Sequence, residues 1–186
     1  MKKKVLPVIV AILLILVIGG CALGKVLLDK YSYSKEEADW NEFYQVSEND
    51  RSAIILQNEM VEEQALIKDG VCYFDLATVH KYMNEVFYAD MTENLLLYAT
   101  PTEVIRTTFG ETAYTTTEGT QEAGYVISFA DGDNVYVAAD YVKLFTNYSY
   151  ECYDRHVQVN TEWGIRQVAQ LKKDTAVRLR GGVKSP

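Results

Sequence analysis

Hydrophobic positions run unbroken near the start of the chain and then scatter into short runs. Residues 5–24, Val5 to Gly24, contain no charged residue and directly follow Lys2, Lys3 and Lys4. At about 1.5 Å per residue, a helix of that length spans roughly 30 Å, the hydrocarbon thickness of a bilayer. A soluble core helix would carry polar residues along one face, and this stretch has none. Pro7 falls in the first turn, where its missing N–H costs little. The pattern predicts a cytoplasmic basic head and a signal-anchor transmembrane helix within 1–28. By the positive-inside bias, the rest of the chain is then extracytoplasmic and the protein resides in the cell membrane as a single-pass protein. A cleaved signal peptide would need a shorter apolar stretch and a small-residue cleavage site, and no A-x-A run follows. An alternative is a lipobox at Ile18-Gly19-Gly20-Cys21, which would place a lipid on Cys21. Against it, apolar character resumes at Ala22-Leu23 and at Val26-Leu27-Leu28. Both the anchor and the lipobox leave the chain membrane-attached.

Residues 29–50 are polar with scattered aromatics and read as a spacer. Ser34-Lys35-Glu36-Glu37 fits a capping box, which predicts a short helix through about Phe43. From Ser52 the pattern changes to short strands, first at 52–57 and 65–67. An internal repeat follows. Asp69-Gly-Val-Cys-Tyr-Phe-Asp-Leu-Ala-Thr-Val-His-Lys-Tyr-Met-Asn84 aligns with Asp131-Gly-Asp-Asn-Val-Tyr-Val-Ala-Ala-Asp-Tyr-Val-Lys-Leu-Phe-Thr-Asn147. Tyr73 falls on Tyr136, Val79 on Val142, Tyr82 on Phe145 and Asn84 on Asn147. Each copy predicts a turn, a strand, a short helix and two further strands. Asp69-Gly70 and Asp131-Gly132 supply the turns. Asp75 is a good N-cap for Leu76 to Met83, and Leu76, Val79, Tyr82 and Met83 share one helical face. The runs Leu95–Tyr98 and Val157–Val159 are expected to pair as strands. Thr115 to Thr120, between the copies, reads as a hairpin tip or loop, and because Thr is also common in strands, extended pairing around Ala113-Tyr114 stays open.

The predicted class is therefore α+β: an N-terminal transmembrane helix, then a duplicated strand-helix-strand-strand module over 51–171. Its copies lie at about 67–106 and 125–165. The last stretch, 172–186, alternates like a strand at Ala176 to Arg180 before Gly181-Gly182.

The two strand starts after Gly70 and Gly132, each followed by a short helix, an aromatic strand and a Val-rich strand, resemble a known domain. It is the bacterial copper amine oxidase N-terminal-like, or stalk, domain. The order of anchor, spacer, two such units and Lys172 to Ser185 resembles the N-terminal region of membrane-anchored Firmicutes proteins. In those, an SH3-like domain and then a family 18 glycoside hydrolase domain follow. The resemblance implies a stalk function without copper binding, and makes 172–186 the truncated start of an SH3-like segment. It also implies an alternative in which the chain is the front of a hydrolase acting on cell-wall or chitin-like polysaccharide. The Asp-x-x-Asp-x-Asp-x-Glu run of such a hydrolase does not occur in this sequence, so its catalytic domain is absent from this chain.

Charge narrows the partners. Of 18 basic residues three are Lys2 to Lys4, against 26 acidic residues and a formal net charge of −8. That balance argues against nucleic acid, which needs a basic face. It fits an acidic solvated surface. The chemistry-bearing residues are sparse. Cys72 and Cys152 sit at non-equivalent places in the two copies, and two buried free thiols are the favoured reading over a disulfide. His80 and His156 have no HxxxH or CxxC partners, so no metal site is expected. No phosphate-binding loop, nucleophile elbow or Cys–His motif is present, so neither catalytic residues nor a cofactor are expected. Fourteen Tyr, six Phe and two Trp are more informative. Tyr148, Tyr150 and Tyr153 form the candidate row for stacking on sugar rings. The expected partners are the membrane and peptidoglycan or another cell-wall glycan. The resulting expectation is a non-catalytic, membrane-tethered extracytoplasmic stalk or binding module.

Overall fold

The computed structural model describes residues 2–46, 48–161 and 171–177, with side chains at Val10 and from Leu13 onward. Two compact units emerge, 1–38 with 168–186, and 39–167. In the first, α1 (Lys2–Tyr31) is one continuous helix. Among the described residues, no helix is long and apolar enough to cross a membrane. Every 18-residue stretch within 13–31 includes Lys25, Asp29 and Lys30, charges that hydrocarbon disfavours. The expected transmembrane anchor and the cell-membrane localisation built on it are corrected accordingly. Part of the apolar run at 5–24, namely 5–9 with 11 and 12, lies outside the described side chains. The strand expected at 176–180 also lies largely outside the described residues, and 171–177 form no helix or strand.

The helix expected from Ser34 does not form there. The Ser34 hydroxyl accepts only the Glu36 amide, at 3.1 Å, making an isolated turn. The helix α2 (Trp40–Tyr44) begins in the second unit instead. Its cap is Asp39, whose carboxylate accepts the Asn41 and Glu42 amides at 2.9 and 3.2 Å.

The second unit continues as β1 (Arg51–Leu56), β2 (Glu59–Lys68), β3 (Val71–Asp75), α3 (Leu76–Tyr82), β4 (Phe87–Asp90) and β5 (Leu95–Ala99). Then follow β6 (Val104–Thr108), β7 (Ala113–Thr116), β8 (Gly119–Glu122), β9 (Ser128–Asp131) and β10 (Asn134–Ala138). The last elements are α4 (Ala139–Phe145), β11 (Ser149–Cys152) and β12 (His156–Asn160). Seven strands form one sheet in the order β11-β12-β1-β2-β3-β10-β9, and β4 to β8 form a five-stranded meander. Neighbouring strands are antiparallel except β1 and β12, which pair in parallel from Ala53–His156 to Leu56–Val159.

The molecule is thus mostly β, with two sheets, and the expected α+β duplicated module is corrected. Strand, helix, strand and strand do succeed one another at both places. After the helices, however, the two runs part. β5 finds its hairpin partner in β6, next in sequence. β12 instead joins β1 from across the chain. Leu95–Tyr98 and Val157–Val159 therefore lie in different sheets. The hairpin tip expected at Thr115 to Thr120 does form: β7 and β8 are joined there, with Thr116 paired to Gly119.

Local chemistry explains the junctions. Asp69 at φ +52 and Gly70 at φ +79 make the two-residue turn between β2 and β3, the left-handed pair that such hairpins need. Asp75 caps α3 by accepting the Ala77 amide at 3.1 Å. Between β1 and β2 the register breaks: Ala53 pairs with Gln64 and Ile55 with Met60. Val61, Glu62 and Glu63 therefore oppose Ile54 alone, and such a bulge bends a sheet and increases its twist. The bulge presents Glu63 to α3, where it receives Lys81 Nζ at 2.6 Å and the Tyr82 hydroxyl at 2.9 Å. The seven-stranded sheet rolls into a half-barrel around Ile54, Phe74, Val137, Tyr141, Val142, Val157 and Val159, all essentially without solvent exposure.

Candidate functional site

Several aromatic rings gather where α2 meets the β11–β12 hairpin. Trp40 and Tyr44 are four residues apart and share one side of α2. Their rings stack at 6.0 Å and 22°. Tyr44 in turn stacks on His156, the first residue of β12, at 4.8 Å and 25°. The β11–β12 turn is tight, with the Tyr153 amide donating to the His156 carbonyl at 2.8 Å. That closure lays Tyr153 over His156 at 4.6 Å and 13°. Four rings thus stand in a near-parallel series, Trp40–Tyr44–His156–Tyr153. Phe43 meets Trp40 and Tyr44 edge-on, at 6.1 and 4.9 Å.

The two ends of this series are open to solvent and its middle is not. Trp40 and Tyr153 are each 50% exposed, whereas Tyr44 and His156 are half-buried. Burial lowers the His156 pKa, which favours the neutral imidazole as a stacking ring, and burial raises that of the Tyr44 phenol. The Tyr153 hydroxyl donates to Glu151 Oε2 at 2.6 Å, which fixes the ring's orientation and raises its pKa. Asp39 holds the far end by capping α2. Buried Val46, with the Gln64 amide donating to the Gln45 carbonyl at 3.1 Å, seats the helix against β2.

Of the three tyrosines expected as a surface row, only Tyr153 is part of this series. Tyr148 is 5% exposed, and its hydroxyl donates to the Ala139 carbonyl at the start of α4. Tyr150 is half-buried, 6.1 Å from Tyr148 and 6.4 Å edge-on from Phe74. Tyr148, just before β11, and Tyr150 within it do share a face, but that face is the inner one. Burial raises the pKa of both phenols, and for Tyr150 a hydrogen bond with the Asp140 carboxylate adds to it. The sequence reading missed Trp40, Tyr44 and His156 as members of one surface. The spacing of Trp40 and Tyr44 behind the Asp39 cap was the available signal for the first two.

The remaining candidates sit apart. Cys21 is exposed on α1. The His80 Nε2 lies 2.6 Å from the Phe87 carbonyl oxygen, so this imidazole closes the α3–β4 connection. Among the described residues, no three His, Cys, Asp or Glu side chains gather as a metal would require. Cys72 is buried and Cys152 exposed, and the pair perturb each other's pKa, Cys72 upward and Cys152 downward. No family model, curated protein or solved structure matches this chain. What the residues define is a two-sheet β protein that displays a ladder of aromatic rings beside a hairpin turn.

Proposed function

We propose that this protein is a non-catalytic stalk or binding module of a cell-envelope protein, and that the ladder Trp40–Tyr44–His156–Tyr153 holds a cell-wall glycan. The observation that carries the reading is this near-parallel stack with exposed rings at both ends. A pyranose ring presents an apolar face of C–H groups, which an exposed aromatic face covers without needing a charge. A preordered stack loses little side-chain freedom on binding, and such preorganisation favours affinity. The net charge of −8 disfavours anionic polymers at long range, so recognition falls to ring stacking on the sugars. The stalk part of the reading rests on the resemblance of the repeated runs to the stalk domain.

Sedimentation of the full chain with purified peptidoglycan tests it. The chain is expected to pellet with the polymer, and W40A and Y153A are each expected to weaken retention about 2- to 10-fold, as loss of one ring contact of roughly 0.5–1.5 kcal/mol implies. Equal retention of the wild type and of a variant carrying both W40A and Y153A would overturn the assignment of the ladder.

A further inference from the structure

Cys72 lies in β3 and Cys152 ends β11. Those strands are separated by β12, β1 and β2 in the sheet order. In a flat sheet, four spacings would hold them roughly 19 Å apart. The rolled sheet removes that distance. Phe74, two residues beyond Cys72 on the same face of β3, meets Tyr150, two residues before Cys152 on the same face of β11, at 6.4 Å. The Tyr148 hydroxyl reaches across to the Ala139 carbonyl at the start of α4, directly after β10. Across this seam β3 and β11 run antiparallel, so the register set by Phe74 and Tyr150 puts Cys72 opposite Cys152. One thiol faces solvent and the other is sealed behind it.

We propose that Cys72 and Cys152 are a reversible dithiol site that exchanges with small-molecule disulfides and closes as an intramolecular bond tying β11 to β3. The asymmetry of the pair assigns the roles. Donation from the Cys72 S–H favours the Cys152 thiolate, while burial and the Asp140 carboxylate oppose it. The same hydrogen bond, followed by burial and the negative charge nearby, pushes the Cys72 thiol well up. The exposed Cys152 thiolate therefore attacks first. It displaces one thiolate from the small disulfide and becomes a mixed disulfide. Its charge and its acceptor role then vanish, which removes the largest cause holding the proton on Cys72. Cys72 next loses that proton to the released thiolate and attacks the Cys152 sulfur, expelling the second thiolate, which is protonated by solvent. In total, two protein thiols and one small disulfide become one protein disulfide and two small thiols. Tyr148 and Tyr150 line this seam, and neither hydroxyl is consumed.

Incubation of the reduced full chain with oxidised glutathione, followed by alkylation under denaturing conditions and peptide mapping, decides the matter. Free thiols are expected to fall from three to one, leaving Cys21, with a linked peptide pair containing Cys72 and Cys152 that dithiothreitol separates. In C152A, Cys72 is expected to remain an alkylatable thiol throughout, because the entry point has been removed. A stable glutathione adduct on Cys152 with Cys72 still free would overturn the proposal. A cross-link through Cys21 in place of this pair would overturn it as well. The wild-type map stands on its own whether or not the variant folds.

Discussion

Ser128 shows how much one atom weighs inside this fold. It is fully buried opposite Val137, and its hydroxyl has no hydrogen-bond partner. An unsatisfied buried hydroxyl costs about 1–3 kcal/mol of desolvation. S128A removes that oxygen and keeps the shape of the backbone, so the denaturation midpoint in urea is expected to rise by an amount within that range. A lower midpoint would mean that Ser128 Oγ is satisfied after all. At this scale the sequence was readable where one side chain acts on its own neighbours. Asp75 as a cap and Asp69-Gly70 as a turn are choices of that kind. It was unreadable where partners come from far along the chain. Nothing near Tyr44 announces His156, and nothing near Cys72 announces Cys152.

The helices α3 and α4 are held to each other at their ends by one amide. Asn84 Nδ2 donates to Thr146 Oγ1 at 2.8 Å and to the Phe145 carbonyl at 3.3 Å, while its Oδ1 accepts the Val86 amide at 3.0 Å. The N84A variant frees the ends of α3 and α4 together and is expected to lose about 1–3 kcal/mol in chemical denaturation. An unchanged midpoint would show that packing of Phe145 on Tyr98, stacked at 4.4 Å, holds α4 without it. The repeat that made both helices legible also misled. It matched Asn84 with Asn147, whereas Asn84 bonds to the end of the other helix and the following strands separate into two sheets. The hairpin tip at 115–120 was legible, but the strands that flank it were harder to read. Every residue of β8 is exposed and β7 is half-buried throughout, so neither shows the alternation that marks a strand with one wet face. The polar helix start at Ser34 was overruled by Asp39, which offers its carboxylate to two amides where Ser34 satisfies one.

For the whole molecule, the rolled sheet is the feature that composition and periodicity left unspecified. Its curvature begins at the bulge opposite Ile54 and is completed when β11 meets β3. A covalent tie at that seam closes a loop of about 80 residues, worth on the order of 4 kcal/mol in chain entropy. Calorimetry of the oxidised against the reduced chain is therefore expected to show a Tm higher by roughly 10 °C. Equal Tm values would mean that the bond distorts the seam as much as it restrains the unfolded chain.

The parallel pairing of β1 with β12 has a consequence for synthesis. β1 sits inside its sheet, yet its neighbour on one side is β12, made about 100 residues later. Until residues 156–160 emerge, one edge of β1 has its amides and carbonyls bare, and the apolar face of Ile54 waits beside it. Nascent chains of this protein thus carry an open, adhesive ribbon from the emergence of β1 until β12 arrives, and that strand acts as the stopper that ends the exposure.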